Sequence, residues 1–234
     1  MCLFAIGDLH LPGGNEKPMD VFGPQWDGHF FRISEDWRQK VKADDTVLIP
    51  GDISWAMQLT DAIPDLKSIG ELPGKKILLK GNHDYWWSSV NRIRDILPPG
   101  MRVLQNDALE TENAIICGSR GWNLPTAETP LAPSDDKIYQ RELQRLELSL
   151  KAGQKMDEGK PTVVMMHFPP LYDNLRDTAF TALIEKYRVH TVVYGHLHGQ
   201  GLRTAYNGNH HGVEYRLVSC DGIDFKLAEV PLDL

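Results

Sequence analysis

Residues 76–87 read KILLKGNHDYWW. Ile77, Leu78 and Leu79 make a short apolar run between lysines, the run stops at Gly81, and Asn82, His83 and Asp84 follow in immediate succession. Aliphatic runs of about four to eight residues bounded by glycine read as buried strands. An amide, an imidazole and a carboxylate side by side where such a strand emerges form either a polar turn or part of a site. Partners elsewhere in the chain decide between the two.

Four other stretches repeat the pattern: CLFAIGDLH (2–10), TVLIPGD (46–52), TVVMMHFPP (162–170) and HTVVYGHLH (190–198). Each carries its polar residues at or just after the carboxyl end of a predicted strand. Between the strands lie helical patterns over 29–41, 61–72, 87–97, 134–153 and 177–187. The clearest is 134–153, where Tyr139, Leu143, Leu146 and Leu150 recur at i, i+4, i+7 and i+11. Ser134 is its expected N-cap and Gly153 its expected stop. The segment 212–230 alternates polar and apolar residues around Asp221-Gly222, the signal of a hairpin. Strands alternating with helices, then closing strands, predict a layered α/β domain on mixed sheets, one domain over 1–234. Residues 11–28 and 119–134, rich in Gly and Pro, read as loop insertions, either lids over a site or plain surface connections. Phe22 and Trp26 in the first of them would cover a site or pack on a second subunit of a homo-oligomer.

Hydrophobic residues make up 41% of the 234-residue chain and charged residues 24%, as in water-soluble globular proteins. The 25 Lys and Arg against 32 Asp and Glu give a net charge of -7, which argues against nucleic acid or an anionic membrane as partner. It leaves a phosphorylated small molecule open, because bound divalent cations dominate the field of a site. Cys2, Cys117 and Cys220 form no CxxC pair and are odd in number, as in a reducing cytosol. The N-terminus lacks the basic region of a signal peptide, and no apolar run reaches the roughly 18 residues of a membrane span. A cytoplasmic location is expected.

If the five strands share one sheet edge, Asp8, His10, Asp52, Asn82, His83, Asp84, His167, His196 and His198 meet at one rim, where ligands bind in open α/β sheets. Any one block alone would be a cap or a surface group. Five blocks after five strands point to a site, since unpaired carboxylates and imidazoles stacked at one edge are costly. Carboxylate, imidazole and amide donors without thiolate suit hard to borderline divalent ions such as Mn, Fe or Zn. The donors exceed the needs of one ion and point to two. A pair of cations about 3.5–4 Å apart holds a hydroxide at neutral pH and clamps phosphoryl oxygens.

The ordered series D-x-H (Asp8, His10), G-D (Gly51, Asp52), G-N-H-D (Gly81 to Asp84), a strand-end His167 and G-H-x-H (Gly195, His196, His198) resembles the calcineurin-like metallophosphoesterases. The resemblance spans residues 8–198. It implies two mixed β-sheets packed face to face as a sandwich flanked by helices. It also implies two divalent metal ions, manganese first, held by Asp8, His10 and His198 on one side and by Asn82, His167 and His196 on the other, with Asp52 bridging. The reaction implied is hydrolysis of a phosphomonoester or phosphodiester by a metal-bridging hydroxide. His83 would stabilise phosphate charge or protonate the leaving oxygen. Asp84 would orient its ring, or else cap the following helix.

Protein phosphatases of this family carry GNHE and an arginine soon after the G-D block. GNHD and GDISWAMQLT (51–60) stand here instead, nearer to bacterial phosphoesterases of small substrates. Arg120 is a candidate to pair with a phosphate and Trp122 to stack on a base, though an arginine at a strand end also serves in structural ion pairs. Tyr172 is a candidate for the pocket rim. Trp55, Trp86 and Trp87 belong to the pocket or to the core, and the histidines of NGNHHG (207–212) to an exposed turn. Two other readings are a metal-binding scaffold without turnover and a nuclease, the latter opposed by the acidic balance.

Overall fold

The computed structural model describes residues 1–14, 19–125, 129–156 and 159–232. Residues 15–18 of the first expected insertion and 126–128 of the second lie outside the described residues. The first sheet has the strand order β11-β1-β2-β3-β4. Its members are β1 (Leu3–Ala5), β2 (Thr46–Pro50), β3 (Lys75–Leu79), β4 (Met101–Val103) and β11 (Ala228–Glu229). β1 to β4 run parallel and β11 is antiparallel to β1. The second sheet, in the order β5-β6-β7-β8-β10-β9, contains β5 (Leu109–Glu110), β6 (Ile115–Ser119), β7 (Thr162–Met166), β8 (Thr191–Tyr194), β9 (Gly208–His210) and β10 (Val213–Leu217). Here β6, β7, β8 and β10 are parallel, with β5 and β9 antiparallel at the edges. Two mixed sheets between helices are the expected architecture.

Alternation along the strands builds the layers. Leu3, Ala5, Leu48, Ile77 and Leu79 of the first sheet meet Ile116, Val163, Met165 and Val193 of the second in one buried cluster between them. The intervening residues face outward. Phe4, Val47, Ile49 and Leu78 pack under α1 (His29–Lys40), α2 (Leu59–Gly70) and α3 (Val90–Ile96). Ile115, Cys117, Val164, Met166 and Val192 pack under α4 (Pro133–Gln154) and α5 (Ala179–Lys186). Because both faces of each sheet are covered, the central strands read as unbroken apolar runs.

The long helix differs from its expected limits at both ends. Ala132 is its N-cap and Pro133 its first residue, where proline's missing N–H costs nothing. Ser134 therefore lies inside the helix. Gly153 does not stop it either: a Cβ there would come 2.5 Å from the Cys117 sulfur, so this glycine lets α4 lie close on β6.

The expected hairpin around Asp221-Gly222 does not form. Val213–Leu217 and Ala228–Glu229 belong to different sheets, and residues 220–223 are a short 3-10 helix between them. The alternating pattern is shared by two strands that never pair. A hairpin forms instead at His211-Gly212, where φ is 50° and 82° between β9 and β10. Its histidines pair with carboxylates, His210 with Asp177 at 2.8 Å and His211 with Glu185 at 3.0 Å.

Lys76, inward of the α2 layer and 2% exposed, donates to the carbonyls of Gly70 (3.3 Å) and Leu72 at the end of α2. Burial lowers its pKa from 10.5 to about 8. Between those values the unfolded chain binds a proton that the folded chain does not, so this group's contribution to stability rises with pH across that window. Relative to Lys76→Met, the protein should gain about 1–3 kcal/mol of unfolding free energy between pH 7.5 and 10. Urea titrations at the two pH values measure it. An equal pH response in both proteins would place the ammonium in water.

Candidate active site

All five blocks leave the carboxyl ends of parallel strands: Asp8 and His10 after β1, Asp52 after β2, Asn82, His83 and Asp84 after β3, His167 after β7, His196 and His198 after β8. Because β2 and β7 face each other across the central core, the edges of the two sheets meet and the blocks converge. The turn at each strand end is sharp. Asp8, His10, Asp52 and His196 have φ of 58°, 45°, 50° and 74°, left-handed values that cost non-glycine residues of order 1–3 kcal/mol. A Cβ at Gly81 would fall on Asp52, and one at Gly195 would come 2.5 Å from the Asp8 carboxylate.

The side chains form two contiguous groups. Ligand atoms of Asp8, His10 and His198 lie within 4.8 Å of one another, as do those of Asp8, Asp52 and His167. His198 Nε2 is 3.6 Å from Asp8 Oδ1 and 3.4 Å from His10 Nε2. Asp52 Oδ2 lies 3.9 Å from His10 Nε2 and 3.4 Å from His167 Nε2, so this oxygen stands between the groups. His167 Nε2 is 2.6 Å from Asn82 Oδ1 and 3.3 Å from His196 Nδ1. The seven expected ligands are thus brought together. His83 sits at the margin. Its backbone N–H donates to Asp52 Oδ1 at 2.8 Å, and its ring lies 4.6 Å from Trp55, which stacks on His10 at 4.9 Å.

Hydrogen bonding and burial together show that the donor set suits a cation. His167 Nδ1 lies 3.0 Å from the Pro50 carbonyl, so that nitrogen carries the proton. Burial lowers the pKa of His167 and keeps it neutral. Nε2 is then a lone pair, facing the Asn82 oxygen and the Asp52 carboxylate. Acceptors converging on one buried point are reconciled by a divalent cation. Burial, with Asp84 and Asp8 nearby, pushes the Asp52 carboxyl well above its usual range, a cost that a bound cation reverses. Burial would raise Asp8 too, but His198, by charge and hydrogen bond, holds it below the usual range. Burial, then His167, takes His196 down to about 3, the neutral form a metal requires.

Asp221 is a site residue that the sequence reading missed. Its carboxylate takes His198 Nδ1 at 2.7 Å and the Gly199 N–H at 3.1 Å. Burial alone would lower the pKa of His198, but Asp8 and Asp221 raise it to about 10. Without metal the ring is therefore charged, its Nδ1–H on Asp221 and its Nε2–H toward Asp8. A cation would displace the Nε2 proton, and the Asp221 bond would keep Nε2 aimed at it, the arrangement by which carboxylates orient metal-binding histidines. Asp221→Ala should weaken metal binding at this position by about 10–100-fold. Competition against a chromophoric chelator measures it, and an unchanged affinity would reduce Asp221 to a structural partner.

The Asp84 carboxylate does not reach for the His83 ring, nor does it cap α3, whose N-cap is Ser89. It accepts from the backbone of Ile53, Ser54 and Gly81 and from Trp86 Nε1. Trp86 and Trp87 are buried. Trp26 is also buried, 5.6 Å from His198 and 5.2 Å from Phe225, so the first loop packs its tryptophan beside the site, while Phe22 stays exposed. Arg120 pairs with Glu142 at 3.5 Å and covers the Trp122 ring at 4.6 Å. Trp122 backs Phe168, which lies 4.1 Å from His196. Tyr172 lines a separate hollow with Leu124 and Tyr139, apart from the ligand cluster.

The sequence profile of the calcineurin-like phosphoesterases matches residues 2–200. The chain belongs to this family. Among solved structures, this calcineurin-like phosphoesterase resembles a phosphopantetheinyl hydrolase (PptH) of Mycobacterium tuberculosis at 17% identity and a TM-score of 0.57, covering 99% of this chain and 96% of that one. It also resembles the protein TT1561 of Thermus thermophilus at 14% identity and a TM-score of 0.54, covering 99% and 98%. At these identities the likeness is one of fold. No curated protein matches the sequence. Among the described residues, no helix is long and apolar enough to cross a membrane.

Proposed function

We propose that this calcineurin-like phosphoesterase is a metal-dependent phosphohydrolase acting on a small phosphomonoester or phosphodiester. The observation that carries the reading is the gathering of seven donor side chains into two contiguous groups joined at Asp52, with His83 at their margin. Asp8, His10 and His198 would hold one divalent cation, Asn82, His167 and His196 a second, and Asp52 would be shared. Manganese, iron or zinc suits these donors. Bound there, the cations supply a nucleophile at neutral pH and neutralise the phosphoryl oxygens. Within the chain, the Pro50 carbonyl and Asp221 engage Nδ1 of His167 and His198, so that Nε2 is the atom each ring would present to a cation. His83, tied by its N–H to Asp52, is placed to meet phosphate charge or to hand a proton to the leaving oxygen. The net charge of -7 favours a small substrate over nucleic acid, and three free cysteines suit a reducing cytoplasm.

The test is hydrolysis of aryl phosphate mono- and diesters by protein stripped with chelator and reloaded separately with Mn, Zn or Mg. Activity should return with metal and fall about 10²–10⁴-fold in His83→Ala. Silence with every metal, at stoichiometric metal content, would leave a binding scaffold in place of an enzyme.

A further inference from the structure

Beside the ligand cluster, at the same edge of the sheets, a cavity lies among the strand ends of β3, β4 and β6 and the flank of α4. Lys80, Arg120, Arg141 and Arg145 line it, against a single carboxylate, Glu142. Four cations around one acid, a local excess of three positive charges, stand out in a chain whose net charge is -7. Glu142 is buried, and it holds Arg145 at 2.7 Å and Arg120 at 3.5 Å through one oxygen. Among the described residues the side chains of Lys80 and Arg141 have no hydrogen-bond or ion-pair partner, and Arg120 Nε is a buried donor without an acceptor. Gathering like charges in a hollow with one counter-charge costs Coulomb energy that an anion would recover. The amide of Gln105 and the Ser88 hydroxyl add neutral donors to the same wall.

The position relative to the ligand cluster is fixed by the backbone. Lys80 stands two residues before Asn82, and the Arg120 carbonyl accepts the N–H groups of both His167 and Phe168. The cavity therefore abuts the half of the site built from Asn82 and His167.

We propose that this cavity is an anion subsite that takes a second phosphate group of the substrate while the first lies at the cation site. The substrate class is then a small molecule carrying two phosphate groups, with Lys80 and Arg141 supplying the uncommitted charges and Arg120 the oriented donor. This assignment of the substrate rests on the phosphohydrolase reading; the anion subsite itself does not.

Two measurements separate the two claims. Calorimetric titration of inorganic pyrophosphate into the metal-free protein, set beside the Lys80→Gln/Arg141→Gln variant, reads the cavity, since that variant leaves every side chain of the cation site in place. One equivalent should bind, more weakly as salt rises, and at least tenfold more weakly in Lys80→Gln/Arg141→Gln. Lys80→Arg/Arg141→Lys, which keeps both charges, should retain binding, and a melting temperature of the double glutamine variant equal to that of the wild type shows that it fails by charge and not by folding. Absence of binding, or binding untouched in the double variant, overturns the subsite and leaves the phosphohydrolase reading standing. With metal restored, kcat/KM for adenosine 3′,5′-bisphosphate should exceed that for 5′-AMP and 3′-AMP by at least tenfold, and that ratio should collapse in the double variant. Pyrophosphate binding without such a preference overturns the substrate assignment and makes the cavity a site for a free anion. Pyrophosphate binding in a protein that hydrolyses neither these esters nor aryl phosphates refutes the phosphohydrolase reading and keeps the subsite.

Discussion

Asp52→Asn is expected to lower the turnover of the metal-loaded protein by at least about 10³-fold, several kcal/mol of transition-state stabilisation, and to remove one of two bound cations. Asp52 is the side chain whose Oδ2 stands between His10 and His167, while Oδ1 accepts the His83 N–H. Asparagine keeps the shape and the bond to His83, so the fold and the His83 position survive. What disappears is the charge that two cations would share. The metal-free proteins should show the opposite order. Burial, with Asp84 and Asp8, raises the folded-state pKa of Asp52 far above 3.8, so from about that pH upward the folded chain binds a proton that the unfolded chain has released. Stability from this group therefore falls as pH rises, and the asparagine variant escapes the loss. At pH 7 the metal-free variant should melt above the metal-free wild type, and saturating Mn should reverse the ranking. Elemental analysis and thermal melts with and without metal measure both effects. Near-normal turnover with two cations bound would sink the role given to Asp52.

How far a residue's partners lie along the chain decides which parts of the site could be read from sequence. The donor blocks were legible because each is local: a buried strand, a turn and a polar side chain within a few residues, repeated after β1, β2, β3, β7 and β8. Asp221 was not legible, because its partner His198 is 23 residues away and the intervening segment mimics a hairpin. Its alternation is real, yet β10 lies beside β8 while β11 crosses to β1. Arg120 was legible as a charged residue at a strand end, but its setting depends on Glu142 and Arg145, which α4 presents one turn apart. Gly153 shows the same limit at the level of packing. A glycine late in a helical pattern signals a stop locally, and only the approach of Cys117 on β6 explains a glycine inside the helix.

Asp84→Ala should be the most destabilising single change at the site, about 4 kcal/mol, with a fall in Tm of roughly 8–16 °C for a chain of this size. The carboxylate is fully buried and accepts four hydrogen bonds. Oδ1 takes Ile53 N at 2.9 Å, Ser54 N at 3.2 Å and Trp86 Nε1 at 2.9 Å, and Oδ2 takes Gly81 N at 2.7 Å. Alanine would leave these donors in the interior without acceptors, and each such loss costs about 1–3 kcal/mol, less than additively. These bonds tie the turn carrying Asn82 and His83 to the turn after Asp52, so metal binding should weaken together with stability. Asp84→Asn separates this role from direct orientation of the His83 ring. Its oxygen can serve the three donors at Oδ1, but its amide meets the Gly81 N–H donor to donor, so about 1–3 kcal/mol is lost. A stability order of wild type, asparagine, alanine, with metal affinity following it, is expected. Full stability in the asparagine variant, with loss of turnover alone, would return Asp84 to the side of the His83 ring. The adjacency of amide, imidazole and carboxylate in residues 82–84 then has a physical reason. The third residue holds the turn rigid from below, so that the first two can be presented at its surface.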